Sequence, residues 1–127
     1  MASAETRQDS PYDVELTVKL TESPGGPEHE FVLRAADGRL SPGSTLPDAP
    51  AALAAVEQHG EAVFFPVPTP YRICTQQYGG PQVAVVTGWF HGRKVSSRFS
   101  RTDGCEIARW RTMAALLGGV AGSTGDV

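Results

Sequence analysis

The side chains best suited to chemistry in this chain of 127 residues are its two cysteines, Cys74 and Cys105. Two cysteines can form one disulfide bridge or remain as two free thiols. Neither lies in a CxxC motif or beside a histidine in the sequence, so a nucleophilic or redox role has no activating neighbour. The two cysteines and three histidines also lack the spacing of a metal site. We therefore predict no metal and no cofactor.

Histidines and carboxylates are the other groups that could transfer protons. His91 lies in the turn between two predicted strands, and Asp103 and Glu106 follow the second of them. If the protein is an enzyme, these three residues are our candidates for general acid–base catalysis. The simpler interpretation is that His91 is a turn residue. The sequence has no Gly-rich phosphate loop, GxSxG elbow or HExxH motif.

Basic residues are concentrated in the last third of the chain. A solvated face and a binding site for an anionic group are the two interpretations of Arg93, Lys94, Arg98, Arg101, Arg109 and Arg111. The whole chain has 11 basic and 14 acidic residues, a formal charge of −3. A nucleic-acid-binding protein would show a basic excess, and a membrane-spanning helix needs roughly 18 apolar residues in a row. We therefore predict neither a nucleic-acid nor a membrane partner.

The elements that must position these residues are short, because the chain holds 14 glycines and 10 prolines. Apolar residues alternate over 14–20 and again over 30–35, which predicts two strands paired as a hairpin. A second strand pair is predicted over 83–90 and 94–100. Between the pairs, residues 64–82 carry four prolines and are predicted to be extended and exposed.

Two helices complete the predicted fold. Asp48 as N-cap, Pro50 in the first turn and Gly60 as the stop predict the first helix. Apolar residues at helical spacing predict the second helix over 106–117. We expect an α+β domain, an antiparallel sheet of about four or five strands with two helices. It covers 12–117, between a disordered segment at 1–11 and a flexible tail at 118–127.

The stretch from Tyr71 to Ile107 resembles the subtilisin inhibitor-like family of actinobacteria. The resemblance is carried by Cys74, Tyr78, Pro81, the turn at 88–96, Phe99, and Cys105 followed by Glu106. The strand at 14–20, Pro42-Gly43-Ser44 and the helix at 53–56 match in the same order. The resemblance therefore extends over most of residues 12–108.

This resemblance implies a five-stranded antiparallel sheet with two short helices, commonly as a homodimer packed through the sheet. Family members block subtilisin-type serine proteases with a rigid loop that is cleaved very slowly. Carried onto this chain, the resemblance implies a Cys74–Cys105 disulfide that anchors a reactive loop. Such a bridge would stabilise the fold by about 3–4 kcal/mol. Gln76 would enter the primary pocket, the Gln76–Gln77 bond would be the reactive bond, and the remaining loop residues would be Ile73, Thr75 and Tyr78.

The sequence also departs from the family pattern. A second family bridge falls near Ala35 and Pro50, neither of which is cysteine, and a reducing compartment permits that loss. Gly79 and Gly80 stand where the family has one residue, which adds flexibility. Residues 1–11 lack the apolar segment of a secretory signal. We expect either an intracellular protein or a mature secreted form with an added methionine, and the localisation stays open.

These departures motivate an alternative. The protein would be an intracellular family member that binds or transforms a small molecule, as a cofactor-free cyclase or isomerase of a biosynthetic pathway. That alternative predicts an apolar pocket with a few polar groups. A dimeric module that scaffolds other proteins is the third possibility.

Overall fold

The computed structural model describes residues 12–67 and 73–117. Its elements, in chain order, are β1 (Val14–Thr21), β2 (Glu28–Ala36), β3 (Arg39–Leu40), α1 (Ala49–Phe64), β4 (Val83–Phe90), β5 (Arg93–Phe99) and α2 (Gly104–Thr112). The strands form a five-stranded sheet in the order β3-β2-β1-β4-β5, with every neighbouring pair antiparallel. The expectation of an α+β fold with an antiparallel sheet and two helices is confirmed.

Some predictions fall on parts of the chain that lie outside the described residues. These are the disordered segment 1–11, the flexible tail 118–127, and residues 68–72 of the predicted exposed stretch. Within the described ranges, neither helix has the length and apolar character required to cross a membrane.

The alternation predicted for the first strand determines which face of the sheet is buried. Val14, Leu16, Val18 and Leu20 of β1 are all buried, while the residues between them are half-buried or exposed. β1 lies at the centre of the sheet and pairs with β2 on one side and β4 on the other. Directly paired residues share a face, so β1 extends its apolar stripe into both neighbours. The core lies between this face, helix α1 and the turns at 113–117.

Helix α1 begins as the sequence predicts. The Asp48 side chain accepts a hydrogen bond from the Ala51 main-chain N–H at 3.2 Å, and Pro50 lies in the first turn. Asp48 therefore satisfies one of the amide donors that a helix leaves unpaired at its N-terminus. Ala52, Leu53 and Val56 are buried in the core.

The predicted end of α1 at Gly60 is wrong, because the helix continues to Phe64. Gly60 is a packing position: a Cβ atom there would lie 3.0 Å from Cζ of the Phe90 ring in β4. Phe65 is the C-cap of the helix and has left the helical conformation, with φ −130° and ψ 63°. The following residue is Pro66, and a residue before proline is disfavoured in the helical conformation.

The second helix also differs from its predicted range of 106–117. It begins two residues earlier at Gly104, because Asp103 is its N-cap and accepts the Glu106 N–H at 2.9 Å. It ends at Thr112, and residues 113–117 form turns. Met113, Leu116 and Leu117 in those turns are buried, so the predicted apolar stripe is real although its last part is not helical.

Smaller differences concern the strands and the proline-rich stretch. β2 spans Glu28–Ala36, longer than predicted, because it pairs with β1 over all eight residues of that strand. The two-residue strand β3 was not predicted. Phe64, predicted to be exposed, is the buried last residue of α1. Residues 73–82 have no helix or strand, as predicted.

Candidate functional site

The segment of residues 73–79, called here the 73–79 loop, leads towards β4 and contains every residue of the predicted reactive loop. Ile73 is 96% exposed and Tyr78 is 69% exposed, which is unusual for large apolar side chains. Thr75, Gln76 and Gln77 between them are exposed as well. The structure thus places the five predicted contact residues together on one accessible segment.

The 73–79 loop is covalently joined to the start of α2. Cys74 and Cys105, which are 31 positions apart in sequence, form a disulfide with their Cα atoms 5.2 Å apart. The alternative of two free thiols is excluded in this structure, since neither cysteine is free. Both cysteines are half-buried. The bridge fixes the loop just before the predicted reactive bond.

Two main-chain hydrogen bonds hold the loop on either side of the Gln76–Gln77 bond. The Gly104 N–H donates to the Thr75 carbonyl at 2.9 Å, and the Gly79 N–H donates to the Arg101 carbonyl at 2.7 Å. Gly104 is the first residue of α2, and its N–H is one that a helix leaves without an internal partner. Both bonds connect the loop to the chain around the N-terminus of α2.

Gln76 lies at the apex of a tight turn. The Gln77 N–H donates to the Thr75 carbonyl at 3.0 Å, a bond between residues two positions apart that defines a γ-turn. Among the described non-glycine residues, positive φ occurs at Asp37 and His91, so the turn at Gln76 is the common inverse form. The Thr75 hydroxyl donates to Oε1 of Gln77 at 2.9 Å. The Gln76 side chain has no hydrogen bond within the described part of the chain and points outward.

Two glycines permit the close approach of the loop to α2. A Cβ atom on Gly104 would collide with Oγ1 of Thr75, and one on Gly79 would lie 3.0 Å from Ile107 of α2. The predicted flexibility at Gly79 is therefore offset by packing and by the bond to Arg101. Sequence reasoning missed Gly104 and Arg101 because both act through their main chain. The only available signal was that Gly104 directly follows an N-capping aspartate.

The three candidate acid–base residues do not form one site. Asp103 and Glu106 lie together at the start of α2, where the Asp103 carboxylate accepts the Glu106 N–H. His91 lies in the turn at the opposite end of β5, and its Nε2 atom is 3.1 Å from Oε1 of Glu57 in α1. The seven residues of β5 separate the two places, roughly 20 Å at the rise of a strand. This geometry offers no shared proton-transfer site.

The sulfurs of Cys74 and Cys105 also lie close to the Asp103 carboxylate. These three groups have their nearest ligand-type atoms within 4.8 Å of one another. Metals are bound by thiolates, and here the two sulfurs are bonded to each other. In the oxidised protein this cluster is therefore a disulfide with a neighbouring negative charge.

Two of the basic residues of the last third, Arg93 and Arg109, have side-chain contacts within the fold. Arg109 of α2 donates to the Arg98 carbonyl at 2.8 Å and to the Val63 carbonyl at 3.2 Å. Its guanidinium carbon lies 4.0 Å from the centroid of the Phe99 ring. Arg93 lies 3.7 Å from the centroid of the Phe65 ring. These contacts link α1, β5 and α2, so both guanidinium groups are engaged in the fold itself.

No protein-family model and no curated protein matches the chain. The 73–79 loop, exposed and covalently anchored, is therefore the feature that indicates a function.

Proposed function

We propose that the protein is a subtilisin inhibitor-like serine protease inhibitor that presents the 73–79 loop to the active site of the protease. The observation that carries the proposal is the anchoring of an exposed segment on both sides of one peptide bond. The Cys74–Cys105 disulfide and the Gly104–Thr75 hydrogen bond precede the Gln76–Gln77 bond, and the Gly79–Arg101 hydrogen bond follows it.

Anchoring of this kind favours binding because the loop loses little conformational freedom in the complex. Ordering a flexible segment costs free energy for every side chain and residue that becomes immobile. Here part of that cost is already met within the free protein, by the bridge and the main-chain bonds. A protease groove that accepts the turn at Gln76 can then gain contact energy from the exposed side chains.

The same anchors would make cleavage of the loop slow. If the protease cut the Gln76–Gln77 bond, the new end at Gln76 would stay attached through Cys74 and Thr75. The new end at Gln77 would stay close through Gly79. The two ends would remain near each other, so the bond could re-form more readily than in a free peptide. The complex would persist and release product slowly.

The exposed side chains indicate where the binding energy would arise. Burial of a side chain such as Ile73 against an apolar subsite contributes about 1.5–3 kcal/mol. The amide of Gln76 must instead find hydrogen-bond partners in the primary pocket, because an unpaired amide is costly to bury. We therefore expect moderate inhibition of subtilisin-type proteases.

The test is a titration of the oxidised protein against a panel that includes subtilisin, trypsin and chymotrypsin. We expect inhibition of subtilisin at micromolar protein or below.

Gln76→Met should strengthen the inhibition of subtilisin about tenfold, because an apolar side chain avoids the desolvation of the amide. Gln58→Met on the exposed side of α1 is the matched control and should change nothing. Absence of inhibition at micromolar concentration, with the disulfide shown to be formed, would overturn the proposal.

A further inference from the structure

The Cys74–Cys105 disulfide lies outside the hydrophobic core. The buried apolar residues of the described chain end at Phe64 and resume at Ala84, so the 73–79 loop contributes none of them. Helix α2, which carries Cys105, has no buried residue either. The buried core therefore contains no residue of the 73–79 loop or of α2, although Trp110 of α2 packs against it.

The disulfide is accessible to a reductant. Both cysteines are half-buried, and the preceding residue, Ile73, is almost fully exposed. Cys105 is the second residue of α2, where the helix dipole favours a thiolate. Cys105 is therefore the better leaving group, and an attacking thiolate is directed to the sulfur of Cys74.

Asp103 opposes that attack. Its carboxylate lies within 4.8 Å of the two sulfurs, and its position is fixed by the hydrogen bond from Glu106. A thiolate carries a negative charge, so the carboxylate repels both the attacking group and the thiolate that leaves. We therefore expect the charge on Asp103 to slow reduction.

We propose that the Cys74–Cys105 disulfide is a reversible redox switch that orders the 73–79 loop when oxidised and releases it when reduced, in a domain that stays folded in both states. This inference rests on the proposed function, since it concerns regulation of the same loop.

A dithiol reductant supplies the electrons for the switch. One of its thiolates bonds to the sulfur of Cys74 and displaces the Cys105 thiolate, which takes up a proton. Its second thiol then displaces Cys74, leaving two cysteine thiols and an oxidised, cyclic reductant.

After reduction, the loop is held to the chain around the N-terminus of α2 by the hydrogen bonds from the Gly104 N–H to Thr75 and from the Gly79 N–H to Arg101, and by the packing of Gly79 on Ile107. Both hydrogen bonds cross between exposed or half-buried segments, where water competes for the same donors and acceptors. The loop then samples many conformations, and a protease would meet it as an ordinary substrate.

Hydrogen exchange measured by NMR on the whole protein, before and after treatment with dithiothreitol, tests the switch. We expect the amides of Gln77, Gly79 and Gly104 to exchange at least tenfold faster after reduction. The amides of β1 and β4 should keep their protection, and the far-ultraviolet circular dichroism should not change. Oxidised glutathione should restore the original exchange rates. The double variant Cys74→Ser/Cys105→Ser should match the reduced protein.

Two results would overturn the switch: global loss of protection on reduction, or loop amides that exchange equally in both states. Inhibition assays on the same samples separate this inference from the proposed function. A loop that is released on reduction in a protein that never inhibits a protease supports the switch and contradicts the inhibitor. Equal inhibition by both forms contradicts the switch alone.

The role of Asp103 has its own readout, the second-order rate of reduction by dithiothreitol. Asp103→Asn keeps a good N-cap and removes the charge, so we expect reduction to become several-fold faster, with a smaller difference at high salt. Asp48→Asn makes the same change at the N-cap of α1 and should leave the rate unchanged. Equal rates of reduction in the parent protein, Asp103→Asn and Asp48→Asn would overturn the role of Asp103.

Discussion

The main-chain N–H of Gly104 donates to the carbonyl of Thr75 at 2.9 Å. This bond joins the first residue of α2 to the residue just before Gln76, and Cys105 forms the disulfide to Cys74 one position further on. The N-terminus of a short helix thus holds an exposed segment by one covalent and one hydrogen bond. The arrangement depends on a glycine, because a Cβ atom at position 104 would overlap Oγ1 of Thr75.

Gly104→Ala should therefore displace the 73–79 loop. We expect the inhibition constant for subtilisin to rise about tenfold, while the free energy of unfolding changes by less than about 1 kcal/mol because the site lies outside the core. Steady-state inhibition and urea unfolding measure the two effects.

The matched control combines Gly104→Ala with Thr75→Ala, which removes the hydroxyl that the new methyl group would overlap. We expect the double variant to inhibit better than Gly104→Ala alone. If the two substitutions were simply additive, the steric explanation would be wrong.

Arg109 should be more important for stability than its half-exposed position on α2 suggests. Its guanidinium donates to carbonyls of β5 and α1 and covers the Phe99 ring. Lysine has one ammonium group and cannot reproduce this planar fork. We expect Arg109→Lys to lower the free energy of unfolding by about 1–3 kcal/mol, measured by chemical denaturation.

Arg111 on the same helix is exposed and provides the control. Arg111→Lys should change the free energy of unfolding by less than about 0.5 kcal/mol. Equal effects at both positions would show that the hydrogen bonds of Arg109 to β5 and α1 and its contact with Phe99 contribute nothing specific.

The sequence predicts the sheet better than the site. The alternation of Val14, Leu16 and Val18 identifies β1 directly, because a half-buried strand repeats every two residues. The contact of Gly104 with Thr75 has no such signature, since it joins main-chain atoms of distant segments. The exposure and the residues of the 73–79 loop were predictable, whereas the second anchor between Gly79 and Arg101 was not. The homodimer that the resemblance implies stays a prediction.

The wrong prediction that α1 ends at Gly60 also comes from a tertiary contact that the sequence pattern does not show. Glycine often ends a helix because it adopts conformations that other residues avoid, and this preference predicts a stop at Gly60. The actual reason for a small residue there is the Phe90 ring, 3.0 Å from where a Cβ atom would lie. Only the tertiary packing of α1 on β4 distinguishes the two explanations.

Gly60→Ala tests this packing, because helix propensity and steric overlap predict opposite signs. Alanine in a helix interior is favoured over glycine by about 1 kcal/mol. Overpacking of a core costs about 1–3 kcal/mol, and the Phe90 ring has little room to move between Phe64 and His91. We expect a net loss of stability of about 1 kcal/mol.

A Phe90→Leu background should reverse the sign, since the smaller side chain leaves room for the new methyl group. Thermal and urea unfolding of the four proteins in this cycle measure the coupling between the two positions. A Gly60→Ala variant more stable than the parent chain would show that the ring yields without cost.

The hydroxyl of Thr75 offers a way to alter the order of the loop without touching the disulfide. It donates to Oε1 of Gln77 at 2.9 Å, and this bond fixes the side chain that follows the predicted reactive bond. Thr75→Val keeps the branched shape and removes the donor, so the hydrogen bond is lost while the steric contact with Gly104 remains. We expect the inhibition constant to rise about three- to tenfold, which corresponds to one hydrogen bond of about 0.5–1.5 kcal/mol. The free energy of unfolding should stay the same, because Thr75 is exposed.

Thr87→Val, at an exposed position of β4, is the control and should leave the inhibition constant unchanged. Undiminished inhibition by Thr75→Val would mean that the bridge and the main-chain bonds alone determine the shape of the loop.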